Sequence, residues 1–407
     1  MSNILIVEPS SAGLKLIPTA KTMGLYVIVF SANQDERIIP DYYRKDIDQL
    51  FFLDTYDMAL LQETTNTINR TYPLSAIIPG SEYHVPIAAK LSNNMGLPGI
   101  SPQQAKYLRV KSDMRECLSN HNLRCPRYAV IASNEDILKA IENVSFPCVI
   151  KPIASAGSVH VSRANNIDEL LTAYHLMCMD TWSELGQGIG NIALIEEYIQ
   201  GEEFSVEGYV DSHGAHIISI TKKILSPEPY FVEMGHIVPA NIHDPARMAI
   251  QAYVHAVIKA FDISVGIFHC ELKIDQQGPI LIEMAGRLAG DRICDLILLS
   301  SGINLYQIML RSYLGQSIHC DSILPKQYAG IRFFALNNKN TYSNIYGITE
   351  LQAMPGFQEF TPIIKPGQKI PPLCNFMGRI AACIFTSTSY DQLVSILDNA
   401  QNIISFS

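Results

Sequence analysis

The sequence predicts an α/β unit over residues 1–102, an α+β region over 103–320, and a small α+β unit over 321–407. Three observations support this division. Short β-branched runs alternate with helix-length stretches through the first unit. Two apolar–acidic strands meet at a tight turn around Gln277 in the second. Strand patterns resume after Tyr328 in the third.

The first unit opens on the apolar run Asn3–Val7, followed by a turn holding Pro9, Ser10, Ser11 and Gly13. Leu14–Met23 then suits a helix, Tyr26–Ser31 a strand, Leu50–Asp54 a strand, Met58–Arg70 a helix and Ala76–Pro79 a strand. This rhythm predicts a parallel sheet with helices on both faces, a Rossmann-like scaffold. Glu8-Pro9-Ser10-Ser11-Ala12-Gly13 supplies one glycine where a dinucleotide fingerprint needs three, so no dinucleotide is expected there. Pro79-Gly80-Ser81-Glu82 lies at the C-terminal edge of a strand, where open parallel sheets bind ligands. Glu82 is therefore a candidate substrate contact, on equal terms with a solvated loop acid.

Pro98 and Pro102 punctuate the first boundary. Gln103–Asn120 reads as one helix, Tyr128–Ile131 and Cys148–Lys151 as strands, and Ile331–Ala335 and Ile380–Phe385 as strands of the third unit. A chain of 407 residues with 48% hydrophobic and 17% charged residues can bury a sizeable core. The formal charge of -9 argues against a general nucleic-acid surface, although a local basic cleft for phosphates is compatible with it. No apolar run reaches membrane-spanning length, and Met1–Pro9 lacks a basic n-region, so a cytoplasmic location is expected. Nine scattered cysteines without a CxxC pair read as free thiols rather than disulfides or a zinc site.

Four segments carry chemistry. Val149-Ile150-Lys151-Pro152 ends a strand on a lysine, and the following loop holds Ser155, Gly157 and Ser158. Small residues let backbone N–H groups approach an anion, and the lysine adds a point charge. Taken alone, Lys151 reads better as a surface lysine before a flexible turn. Leu194–Glu207 alternates apolar and acidic residues around a turn. Acids such as Glu203 suit ribose hydroxyls and free backbone near Ile199 suits an adenine edge, yet an ordinary half-exposed hairpin fits as well.

The third segment is the most specific. His269–Asp275, the turn Gln276-Gln277-Gly278, and Pro279–Met284 form a hairpin in which Glu271 and Glu283 lie about equally far from the turn. The two acids can share a hard cation, which prefers carboxylate and phosphate oxygens. The fourth segment, Ala285-Gly286-Arg287-Leu288-Ala289-Gly290-Asp291-Arg292, frames Arg287 with small residues, where it can pair with a phosphate or carboxylate. A surface Arg–Asp pair is the competing reading.

In this order, the segments resemble the ATP-grasp superfamily, whose members hold ATP between two α+β lobes behind an N-terminal sheet domain. The resemblance implies ATP and Mg²⁺, with Mn²⁺ as the alternative ion. Lys111, in Val110-Lys111-Ser112-Asp113, matches the first phosphate-contacting lysine, and Lys151 the second, ahead of the Ser155, Gly157 and Ser158 loop. Glu196, Glu197, Tyr198 and Ile199 match the adenine hinge, Glu203 the ribose acid, and Glu271 and Glu283 the metal ligands. Ala285 stands where many relatives place a metal-binding Asn, which leaves the third protein ligand open.

Within the superfamily, Phe231–Ala240 and Glu283–Asp291 resemble bacterial L-amino-acid ligases of the bacilysin-synthetase type, which make dipeptides or related amides. By that resemblance Glu233 binds the substrate amino group, His236 lines the pocket, Arg287 holds the carboxylate or phosphorylated intermediate, and Gly290 leaves room beside it. Arg287, Lys151 and His236 are then the candidate catalytic residues. Small-molecule carboxylate and amine substrates, amino acids among them, are implied, and a homodimer is a family expectation. The rival readings are a biotin-carboxylase-like or purine-biosynthesis enzyme of the same fold and a nucleotide-binding protein without catalysis.

Overall fold

The computed structural model describes every residue except 1, 181, 184, 189, 321–323 and 337–338. Its first sheet is parallel, with strands β1 (Asn3–Val7), β2 (Tyr26–Ser31), β3 (Gln49–Phe52) and β4 (Leu74–Pro79) in the order β3-β2-β1-β4. Ile4, Leu5, Ile6 and Val7 are all fully buried, as a strand covered on both faces requires. The helix expected at Leu14–Met23 begins as a 3₁₀ turn, Ser11–Lys15, and continues as Leu16–Thr22.

The single helix expected over Gln103–Asn120 is instead two, Pro102–Tyr107 and Lys111–Asn120. Val110 is extended between them, and the Lys111 amide donates to the Ile153 carbonyl at 2.8 Å. That tertiary bond replaces an intrahelical one, so no local signal predicts the break. Its effect is to set Arg109 and Lys111 against the loop after Lys151.

The second sheet is antiparallel, with β5 (Tyr128–Ile131), β6 (Cys148–Pro152), β7 (Ser162–Ala164) and β8 (Ala193–Glu197) in the order β5-β8-β6-β7. Helices Asn134–Asn143 and Ile167–Met179 cover it with Ile137, Ala140, Leu170, Tyr174 and Met177.

The third sheet takes in β9 (Glu202–Asp211), β10 (Gly214–Leu225), β11 (Glu233–Val238), β12 (Gly266–Asp275), β13 (Gly278–Ala285) and β14 (Tyr328–Ala335). After the short β15 (Ile345–Tyr346) it is completed by β16 (Phe357–Pro362) and β17 (Arg379–Ser387). The order is β13-β12-β9-β10-β11-β14-β17-β16, and β15 pairs apart with β18 (Ser405–Phe406). Strands of the C-terminal unit thus extend the sheet of the middle region through the β11–β14 pairing. The expected junction at 320/321 adjoins residues outside those described. Among the described residues no single helix is long and apolar enough to cross a membrane, and the eight cysteines other than Cys320 are free thiols.

One ion network ties the three units together. Asp295 accepts from Lys15 Nζ at 2.6 Å and from Tyr306 Oη at 2.9 Å, and pairs with Arg292. Arg292 also pairs bidentately with Glu359 at 3.0 and 2.8 Å. The Arg292 hydrogen bond pulls the Glu359 carboxyl down to about 2 from an ordinary 4.5. A depressed carboxylate contributes stability above pH 4.5 and loses it as the pH falls toward about 2. Glu359→Gln should therefore unfold at slightly lower urea than the parent at neutral pH, by no more than about 1 kcal/mol for so exposed a pair. The two urea midpoints should converge in that acid window.

Candidate active site

A cleft of about 940 Å³ opens between the second and third sheets. On one wall, Lys151 at the end of β6 donates to Glu196 on β8 at 2.5 Å, and Arg115 Nε donates to the other Glu196 oxygen at 2.6 Å. All three side chains are within 5% of complete burial. Burial opposes charge on Glu196, but Arg115 and Lys151 outweigh it and hold the carboxyl below its usual range. Burial lowers the Lys151 ammonium pKa despite Glu196, with Arg115 and Lys111 adding to the effect. Two cations share one anion, so this wall carries surplus positive charge, which suits a polyanion.

The loop after Lys151 is held from below. Arg109 donates to the Ser155 and Ala154 carbonyls at 3.0 and 3.1 Å, and Lys111 Nζ reaches the Ser155 carbonyl at 3.2 Å. Gly157 has φ +63° and stands where a Cβ would lie 2.4 Å from the Phe376 ring, so only glycine fits. Ser158 Oγ donates to the Phe231 carbonyl at 2.9 Å, pinning the loop to the opposite lobe.

The facing wall is one side of the third sheet. Glu271 on β12 and Glu283 on β13 are direct register partners, so both project to the same face. Glu283 pairs with Lys111 at 2.9 Å, and Glu271 with Lys223 at 2.9 Å and with His269 at 3.1 Å. His269 also meets Glu207 at 2.9 Å. Burial disfavours charge on this imidazole, yet the two glutamates push its pKa up to about 9. Lys223 reaches Glu203 at 2.7 Å and Glu233 at 3.3 Å as well, and these acids hold its pKa well above normal against burial. Among the described residues there is no cluster of three or more His, Cys, Asp or Glu that could hold a metal.

A second chamber of about 1360 Å³ continues from the cleft, sharing Gly157, Glu233, His269, Glu271 and Arg287 with it. Arg287 Nε donates to Glu82 at 2.5 Å. Burial opposes ionisation of Glu82, but Arg287 and Arg109 hold it charged. Asp291 accepts from both terminal nitrogens of Arg379 at 2.7 and 2.8 Å and from His236 Nε2 at 3.0 Å. His236 Nδ1 is buried and has no hydrogen-bond partner among the described residues. Burial, then the nearby Asp291 and Glu271, raise the Glu233 pKa, against Lys223 and Arg379. A Cβ on Gly290 would meet nothing within 4 Å, so open space lies beside Arg287.

Three family models match in sequence: ATP-grasp N-terminal domain over 17–99, ATP-grasp domain over 144–295, and L-amino acid ligase C-terminal domain 2 over 332–407. The chain belongs to the ATP-grasp superfamily, in its carboxylate–amine ligase branch. It is 21% identical to protein y4rH of Sinorhizobium fredii over 406 residues, 99% of this chain and 82% of that protein. It is 23% identical to the L-arginine-specific L-amino acid ligase of Bacillus subtilis over 356 residues, 84% and 83% of the two chains. The solved structure of an L-amino acid ligase from Bacillus licheniformis shares the fold with a TM-score of 0.85 at 22% identity, covering 100% of this chain and 98% of that one.

In this ATP-grasp ligase the residues singled out from sequence fall into the two cavities. Lys111, Lys151, Ser155, Gly157, Ser158, Glu196, Glu197, Tyr198, Ile199, Glu203, Glu271 and Glu283 line the cleft. Glu82, Glu233, His236, Arg287 and Gly290 line the second chamber. Several differ in state from the expectation. Glu196, in the segment matched to the adenine hinge, is the counter-ion beneath Lys151. Glu203, matched to the ribose acid, is paired with Lys223. Glu82 is 6% exposed and ion-paired, not a solvated loop acid. Asp291 pairs inward with Arg379 and His236 instead of forming a surface pair.

Sequence reasoning missed Arg115, Lys223, His269 and Arg379. For two of these a signal existed. Glu203, Ser205 and Glu207 alternate on β9, as do Thr221 with Lys223 on β10 and His269 with Glu271 and Lys273 on β12. Period-two polarity on adjacent strands marks a buried polar sheet face.

Proposed function

We propose that this ATP-grasp ligase activates the carboxylate of one amino acid as an acyl phosphate and joins it to the amine of a second, releasing ADP and phosphate in the cytoplasm. A free carboxylate is a poor electrophile because its leaving group is oxide. Phosphorylation supplies a good leaving group, and the protein's task is to place the reactants and offset their charge. In this reading Lys111 and Lys151 hold the phosphates, and the Ser155–Ser158 loop closes over them to exclude water. Backbone from Glu197 to Ile199 meets adenine, and Glu203 meets ribose. Arg287 holds the reacting carboxylate, Glu233 takes the substrate ammonium, and His236 and Gly290 shape the space around it.

Glu271 and Glu283 fit a magnesium or manganese ion by donor chemistry: two carboxylates in register, facing the phosphate cleft, with lysines now as their counter-ions. Such an ion would neutralise charge on the phosphates. The buried methyl of Ala285 offers no third ligand.

The continuity of the two cavities carries the reading. The cleft opens into a charged chamber at Arg287 and Glu233, so a phosphoryl donor and a small zwitterion can meet there. The test is phosphate release from ATP and Mg²⁺ with paired amino acids, with mass spectrometry of the products. The expected result is a dipeptide together with ADP and phosphate. Turnover that requires bicarbonate or a ribonucleotide, with amino acids inert, would replace this reading by a carboxylase or purine-pathway one.

A further inference from the structure

Behind the second chamber, a buried chain of hydrogen bonds runs through the parallel sheet and has no part in the chemistry described so far. Glu8 directly follows β1 and is fully buried. It accepts from Ser31 Oγ at 2.8 Å, the Ala32 amide at 3.0 Å and Thr55 Oγ1 at 2.6 Å. Thr55 Oγ1 lies 3.0 Å from His84 Nε2, and His84 Nδ1 lies 2.8 Å from Ser81 Oγ. Thr55 and His84 are fully buried, whereas Ser81, at 6% exposure, is part of the chamber wall beside Glu82.

With Glu8 ionised, the donors and acceptors in this chain have one consistent assignment. An ionised carboxylate only accepts, so the single Thr55 proton goes to Glu8. Thr55 oxygen must then accept, which puts a proton on His84 Nε2. A neutral imidazole with Nε2–H has a bare Nδ1, so Ser81 donates to it. Burial first, then the charges of Arg37 and Arg109, keep His84 neutral down to about pH 3. The Tyr56 ring packs on the imidazole at 4.8 Å between centroids, and its hydroxyl donates elsewhere, to the Leu185 carbonyl at 3.0 Å. Ser81 therefore offers the chamber only its oxygen lone pairs.

The proposed ligation leaves one proton without a destination. An amino acid's amine enters largely as ammonium near neutral pH and has no lone pair with which to attack. Of the chamber's other acids, Glu82 is paired with Arg287, Asp291 with Arg379, and Glu233 and Glu271 with Lys223, while Glu36 is exposed at its rim. Glu8 differs, since its three hydrogen bonds all come from neutral donors.

We infer that Ser81, His84, Thr55 and Glu8 form a proton relay that deprotonates the attacking amine. The inference rests on the ligase reading above. The ammonium N–H bond breaks and its proton goes to Ser81 Oγ, while the Ser81 proton passes to His84 Nδ1. The Nε2 proton passes to Thr55 Oγ1, and the Thr55 proton to Glu8. The ammonium becomes a neutral amine and the carboxylate becomes a carboxylic acid. The imidazole exchanges one neutral tautomer for the other, so its low basicity does not obstruct the transfer. The reverse sequence returns the proton to the open chamber after product leaves. Ser81 is the catalytic residue of this set, and His84, Thr55 and Glu8 act through it.

The test compares two nucleophiles with the full-length chain, ATP, Mg²⁺ and the amino-acid pair fastest in the phosphate-release screen. Hydroxylamine, already neutral at neutral pH, needs no relay to trap the acyl phosphate. Glu8→Gln and Ser81→Ala should each lower kcat for dipeptide formation by about 10²-fold at neutral pH, the scale of one general-base step. Hydroxamate formation by Glu8→Gln should be unchanged, and the dipeptide deficit should close as the pH rises through the amine's own titration. A pH-independent deficit, or an equal loss with hydroxylamine, would reveal a structural role only and overturn the relay. A parent chain that forms neither hydroxamate nor dipeptide would overturn the ligase reading itself. Should Glu8→Gln fail to fold, ¹⁵N-histidine NMR of the parent decides, with His84→Gln to assign the signal. Neutral Nε2–H His84 from pH 5 to 9 is expected, and an imidazolium or an Nδ1–H tautomer would overturn the relay.

Discussion

Glu283→Gln is expected to lower the rate of ATP-dependent ligation by about 10²–10³-fold, the scale on which single electrostatic contacts at a reacting centre act. The substitution keeps the shape of the side chain and an oxygen for Lys111, now 2.9 Å away, so the fold has little reason to change. What disappears is a negative charge on the face that meets the nucleotide's phosphates. A hard divalent ion held by two carboxylates would then rest on Glu271 alone, and the magnesium concentration needed for half-maximal rate should rise. Glu283 is a cleaner test than Glu271, because Glu271 also anchors Lys223 and His269. A steady-state titration of Mg²⁺ at saturating ATP measures both effects. An unchanged rate at low magnesium would remove Glu283 from the metal site.

That hairpin was readable from sequence because everything that defines it is local. The turn at Gln276-Gln277-Gly278 sets the pairing as far as Leu272 with Leu281, and a register shift between Glu271 and Leu272 then brings residues 271 and 283 opposite each other. The parallel first sheet was readable for a similar reason, through strands buried on both faces. The features that escaped are those made by distance. Arg379 meets Asp291 across 88 positions, from a strand of the C-terminal unit that joins the large sheet. The break between the helices at Leu108–Val110 depends on the Ile153 carbonyl, and nothing near Val110 announces it. Glu196 shows a third limit: an acid in a hinge motif looks available until the two cations packed against it are seen. The same applies to the Glu8–Ser81 chain, whose members lie on three separate segments.

Glu196 also carries the largest expected effect on stability. Its carboxylate is the common partner of two buried cations, Arg115 and Lys151, at 2.6 and 2.5 Å. Glu196→Ala leaves both without their shared anion and should destabilise the chain by about 3–5 kcal/mol in urea unfolding. Arg115 retains its bond to the Ile282 carbonyl, at 2.6 Å, whereas Lys151 Nζ has no other hydrogen-bond partner among the described residues. Lys151 should therefore shed its proton in Glu196→Ala more readily than it already does. Adding Lys151→Met to Glu196→Ala should recover part of the lost stability, since it removes a buried charge that has lost its partner. Lys151→Met alone should leave stability nearly intact while weakening ATP binding, because the surplus positive charge of that wall is gone. A double-mutant cycle followed by both unfolding and nucleotide binding separates the two roles. If Lys151→Met alone costs as much stability as Glu196→Ala, the lysine is a structural counter-ion and the phosphate role must pass to Lys111. If instead the double variant is more stable than Glu196→Ala yet does not bind ATP, the buried triad exists to hold a desolvated cation ready for phosphate.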